Sequence, residues 1–120
     1  METILHICER ADWAIALKNG SYQPASLQSE GFIHCSTPSQ ILDVANSFYK
    51  RRQDLLLLWI NLDDVQADIR WEKPLGPAFP EDIDTAEDFP HIYGPLNPDA
   101  VAAVDEFPPD TDGVFHLPQR

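Results

Sequence analysis

The sequence predicts a single α/β domain in which a mixed β-sheet carries a few helices on its faces. Three observations point there. The chain has 120 residues, the size of one domain. Short apolar runs of strand length alternate with stretches whose apolar residues recur at helical spacing. Hydrophobic residues make up 43% and charged residues 23%, the balance of a chain that forms a core without disulfides or metals.

Taken in order, Thr3-Ile4-Leu5-His6-Ile7-Cys8 reads as a buried strand. From Arg10 to Lys18, Trp13, Ala14 and Leu17 recur at helical spacing, and Asn19-Gly20 stops the helix. Ser21 to Pro24 is a loop or short extended piece. Ser26 to Glu30 reads as one helical turn ended by Gly31. Phe32-Ile33-His34-Cys35-Ser36 is the second strand. A helix start follows, with Thr37 as N-cap, Pro38 at the first helical position and Gln40 at capping-box spacing. That helix carries Ile41, Leu42, Val44, Ala45 and Phe48 and ends near Tyr49-Lys50. Leu55 to Leu62 is a continuous apolar run of central-strand length. Ile69-Arg70-Trp71-Glu72 alternates like an edge or half-exposed strand.

Beyond Lys73 the texture changes. Nine of the eleven prolines lie between Pro74 and Pro118, so residues 74–88 read as a long loop. His91-Ile92-Tyr93 is a short strand, and Asn97-Pro98-Asp99 caps a helix running through Val104. Gly113 to Leu117 reads as a last strand. No internal repeat divides the chain, so residues 1–120 form one domain.

Charge narrows the partners. Of the twelve net negative charges, one falls in residues 1–62 and eleven in residues 63–120. Binding a long nucleic acid requires clustered cations, and the one cluster, Lys50-Arg51-Arg52, sits at a helix end where it suits the helix dipole. A small-molecule ligand held by local donors fits better. No apolar run approaches the ~20 residues of a membrane-spanning helix, so no membrane partner is expected. Met1-Glu2-Thr3 lacks the basic start of a signal peptide, and a cytoplasmic monomer is expected. Cys8 and Cys35 lack CxxC spacing and read as buried thiols.

The histidines are the informative anomaly. Of four, His6, His34 and His91 lie inside apolar strand segments, where an imidazole must be hydrogen-bonded to offset its desolvation. One such residue is equally well explained as a satisfied core histidine, but three in similar settings favour a site. Alternation puts His34 on a face with Phe32 and Ser36, His91 with Tyr93, and His6 with Ile4 and Cys8. His34 and Ser36, with Thr37 and the first amides of the following helix, form a candidate polar-ligand or anion site. Tyr93 adds a flat ring with a hydroxyl tip. Alternation separates His34 from Cys35, which argues against both a zinc site and a Cys35–His34 nucleophile–base pair. Glu72 is a further possible acid, although it reads more simply as a solvated strand residue beside a core Trp71.

Leu5-His6-Ile7, Gly20-Ser21-Tyr22, Ser26-Leu27, Glu30 to Thr37 (EGFIHCST) and Phe89 to Leu96 (FPHIYGPL) together resemble the family catalogued as domain of unknown function 952. The resemblance runs from about Ile4 to Val104. It implies a fold similar to the ADP-ribosyltransferases, which bind NAD in the cleft of a split, mixed sheet. It also implies that His6 orients ribose hydroxyls, that His34 and Ser36 contact the base or phosphate, and that Tyr93 stacks. In that fold a catalytic Glu often follows on a later strand, and the FPHIYGPL block has none beside His91 and Tyr93.

The expected function is an ADP-ribosyltransferase-like enzyme acting on NAD or a related nucleotide. His34 and His91 would be catalytic, and His6, Ser36, Thr37 and Tyr93 ligand-binding. No metal and no resident cofactor is fixed by these residues. The alternatives are a non-catalytic small-ligand-binding domain, or an interaction module whose acidic second half meets a basic partner.

Overall fold

Four consecutive leucines start the strand around which the protein is built. The computed structural model describes residues 2–73 and 88–118. In it β3 (Leu55–Asn61) lies between β1 (Thr3–Glu9) and β6 (Val101–Glu106) in an antiparallel sheet of order β1-β3-β6. Successive side chains of a strand point to opposite faces, so a strand apolar at every position needs cover on both. Leu56, Leu58 and Ile60 pack with Ile4, Cys8, Ile33, Cys35 and Ile92 against a second sheet. Leu55 and Leu57 pack with Leu5, Ile7, Phe107 and Phe115 beneath α3 (Ile41–Phe48), which contributes Ile41 and Ala45.

The second sheet has the order β2-β5-β4, formed by β2 (Ile33–His34), β4 (Asp68–Glu72) and β5 (Phe89–Tyr93), again antiparallel throughout. The expected mixed sheet is therefore two antiparallel sheets. Parallel neighbours need a crossover within one sheet. Here α1 (Arg10–Asn19) and α2 (Ala25–Ser29) instead carry the chain from β1 in the first sheet to β2 in the second, and α3 carries it back to β3.

The segment after Phe32 joins the sheets. Cys35 donates its backbone N–H to Pro90 at 3.1 Å, while Ser36 and Leu5 exchange both backbone hydrogen bonds at 2.7 and 2.8 Å. The expected strand Phe32–Ser36 thus begins in one sheet and ends in the other.

Other expectations are corrected. The helix predicted from Asn97 through Val104 is a single 3-10 turn, Pro98–Ala100, followed by β6. Along β6 exposure alternates with period two, which suits a strand and not a helix. Gly113 to Leu117 forms no strand; Phe115 turns into the core, and its N–H donates to Asn46 Oδ1 at 2.7 Å. Trp71 is 41% exposed and lies outside the core. The predicted 74–88 loop lies outside the described residues except for Asp88. Among the described residues no helix is long and apolar enough to cross a membrane.

Candidate functional site on the outer face of the second sheet

The register of the second sheet sorts its residues into two faces. Ile33, Ile92 and Ile69 are cross-strand neighbours and pack toward the first sheet. One residue along, His34, His91 and Arg70 are neighbours on the opposite face. Side-chain alternation adds Phe32, Tyr93 and Glu72 to that face.

These groups touch. His91 Nδ1 lies 2.9 Å from Glu72 Oε1, and the Tyr93 hydroxyl donates to the same oxygen at 2.5 Å. The carboxylate can only accept, so Nδ1 carries the His91 proton. Burial lowers the His91 pKa, with the Glu72 hydrogen bond opposing it. The contact is therefore a hydrogen bond from a neutral imidazole rather than an ion pair. Glu72 is held below its usual range by the Tyr93 hydroxyl first and His91 second, and it stays ionised.

Aromatic packing layers the site. The Phe32 ring stacks on His91 at 4.2 Å between centroids and lies 4.7 Å from His34 and 5.2 Å from Tyr93. Phe32 and His91 are 2% and 1% exposed, so both are floor. Above them the side chains of Glu72, His34 and Arg70 are 33%, 43% and 57% exposed. His34 Nε2 pairs with Glu30 at 2.8 Å, and the Arg70 guanidinium lies 4.3 Å from the Tyr93 ring centroid.

Of the residues singled out from sequence, His34, His91 and Tyr93 come together, with His34 and His91 ring centroids 5.6 Å apart. His91 sits beneath Phe32, is 1% exposed, and gives its Nδ1 proton to Glu72. His6 does not reach this face. It is buried, and its two ring nitrogens meet the His34 carbonyl at 2.6 Å and the Tyr22 hydroxyl at 2.7 Å. The ribose-orienting place implied for it is thereby corrected, because neither nitrogen is open to a ligand. Ser36 is 4% exposed and spends its backbone on the bridge to Leu5. The Thr37 amide donates to Gln40 Oε1 at 3.0 Å and its hydroxyl meets Ser39 at 3.0 Å, so the amide expected to face an anion is already engaged.

Glu72, read from sequence as a solvated strand residue, is the centre of the cluster. The available signal was the matching alternation of Arg70-Trp71-Glu72 and His91-Ile92-Tyr93, which become neighbours only once β4 pairs with β5. Cys35 faces the core, where burial pushes its thiol well up, and burial raises Cys8 to about 11. Neither is a thiolate near neutral pH. Among the described residues no group of three or more His, Cys, Asp or Glu is placed to hold a metal ion.

What remains is an ionised carboxylate fixed by two donors, with the half-exposed His34 imidazole on the same face, 5.6 Å from the His91 ring, over an aromatic floor. Such a group stabilises positive charge and orients a hydroxyl. The fold and site thus define a two-sheet α/β protein with an acid–imidazole–phenol cluster on the face of the second sheet turned away from the first. The chain belongs to the family described as Protein of unknown function (DUF952), whose model matches residues 7–104.

Among solved structures, the crystal structure of protein CC0527 from Caulobacter crescentus is similar over 96% of this chain and 94% of its own. Its sequence identity is 29% and its TM-score 0.80. The solution NMR structure of CC0527 gives a TM-score of 0.75 at 29% identity, over 95% of this chain and 91% of its own. No curated protein matches the chain.

Proposed function

We propose that the protein is an ADP-ribosyltransferase-like enzyme acting on NAD or a related nucleotide at the outer face of its second sheet. Glu72 carries this assignment. Breaking the bond between ribose C1′ and the nicotinamide nitrogen develops positive charge on the sugar, as in other glycosidic cleavages. A fixed, ionised carboxylate is the group that stabilises such charge and accepts a hydrogen bond from a ribose hydroxyl. Glu72, on the strand beside His91 and Tyr93, stands where the FPHIYGPL block itself has no acid.

In this scheme nicotinamide leaves with the electron pair of the broken bond. Water or an acceptor hydroxyl attacks C1′ and loses its proton, and His34, exposed on the same face, takes that proton. Glu72 and His34 are the catalytic residues. His91 and Tyr93 position Glu72, and His6 holds the backbone of His34 from behind. The expected setting is a cytoplasmic monomer acting on a small molecule.

The test is to incubate the protein with NAD and follow nicotinamide release, alongside thermal melting with NAD and with ADP-ribose. The expected result is release of nicotinamide and a raised melting temperature, both abolished by His34→Ala with the fold intact. Absence of release and of any melting shift at saturation overturns the proposal. A shift without release points instead to a non-catalytic ligand-binding domain.

A further inference from the structure

We infer that Arg70 is the anion-binding residue of this face and grips a phosphate group of the ligand. This deepens the function proposed above, on whose site it rests, by naming the part of the substrate bound there. Arg70 stands directly opposite His91 in the β4–β5 register, two residues from Glu72 on the same face. The Tyr93 ring, 4.3 Å below, gives the planar guanidinium a surface on which to lie.

Hydrogen bonding separates Arg70 from Arg10 and Arg52, and its place on the site face separates it from Arg51. Arg10 gives both terminal nitrogens to Glu106. Arg52 makes two bonds to Asp54 and a contact with Glu9. Arg51 packs along Gly113, so closely that a Cβ there would lie 2.7 Å from its Cγ. Arg70 donates only from Nε, to Asp68 at 3.2 Å. That pair is 57% and 68% exposed, and pairs so exposed are weak. Among the described residues its two terminal nitrogens have no hydrogen-bond partner, which leaves the fork that matches a phosphate bidentately.

Among the described residues the other charged groups paired on this face are acidic, namely Glu30, Asp68 and Glu72, and the adjacent Lys73 pairs with Asp88. These acids disfavour a long polyanion but suit a ligand with a cationic ring near Glu72 and a phosphate reaching back to Arg70. The more distant acids matter less, because salt screens exposed charges beyond about 8 Å at physiological ionic strength.

Calorimetric titration with ADP and with adenosine tests the assignment without relying on turnover. The wild type should bind ADP at least tenfold more tightly than adenosine. Arg70→Ala should remove most of that preference while leaving adenosine affinity and the melting temperature unchanged, and Arg70→Lys should fall between. Equal binding of the two ligands by the wild type, no binding of either, or an undiminished preference in Arg70→Ala overturns the inference. A wild type that prefers ADP, loses the preference in Arg70→Ala and releases no nicotinamide sinks the enzymatic proposal and leaves the phosphate subsite standing.

Discussion

His6 serves the site without entering it. The His34 carbonyl can only accept, so Nδ1 of His6 carries the proton and Nε2 accepts from the Tyr22 hydroxyl. The neutral imidazole is satisfied at both ends, and burial lowers its pKa to about 4. An unfolded chain protonates this histidine near 6.5, so between pH 6.5 and 4 the unfolded state binds more protons. Stability is fully present above that window and falls as pH drops through it, by about 3 kcal/mol for His6. His91, also lowered by burial, adds to the same slope. Carboxylates such as Asp54 and Glu106 are held low by arginines and lose their contribution at more acid pH. Urea unfolding between pH 5 and 6.5 should show stability falling toward acid, with a shallower slope in His6→Gln. Identical slopes in the two proteins would show that His6 is not buried neutral. Alternation along single strands was enough to unite His34 with Phe32 and His91 with Tyr93. It could not recruit Glu72, whose role depends on β4 lying beside β5 across the chain that joins them.

Gln40 links the start of α3 to the entry of β5. Its Oε1 accepts from the Thr37 amide and its Nε2 donates to the Asp88 carbonyl, both at 3.0 Å, and it is 8% exposed. The capping-box spacing foretold the first of these bonds. Yet α3 starts at Ile41, because the Thr37 hydroxyl meets Ser39 and not a helix amide. Gln40→Ala removes both bonds and should destabilise the protein by about 1–3 kcal/mol in urea unfolding. A change below about 0.5 kcal/mol, the range of ordinary surface substitutions, would mean that water replaces both partners. The elements legible in the sequence were those with long, unambiguous patterns: β1, α1, α3 and β3. Val101 to Val104 was misread because Asn97-Pro98-Asp99 resembles a helix start and four small or β-branched residues fit either period. The partner strand decides such cases, and here β3 offers an open edge to β6. Phe115 was misplaced for a related reason, since its position is set by Asn46 and Phe107 and not by its neighbours in sequence.

At the scale of the molecule, the two sheets divide the work. The first is covered on both sides, by α3 and by the second sheet, and makes up the stable core. The second has one face on that core and turns the other outward with its charged and aromatic groups. Among the described residues that outer face carries Phe32, His34, Arg70, Glu72 and Tyr93, with Glu30 paired to His34. The central claim is that Glu72 supports bond cleavage there. Glu72→Gln is the most direct probe, because an amide oxygen still accepts from Tyr93 and His91 while the negative charge is gone. Nicotinamide release from saturating NAD should fall about 100-fold or more in this variant, with the melting temperature unchanged. Release at the wild-type rate by Glu72→Gln would contradict the account.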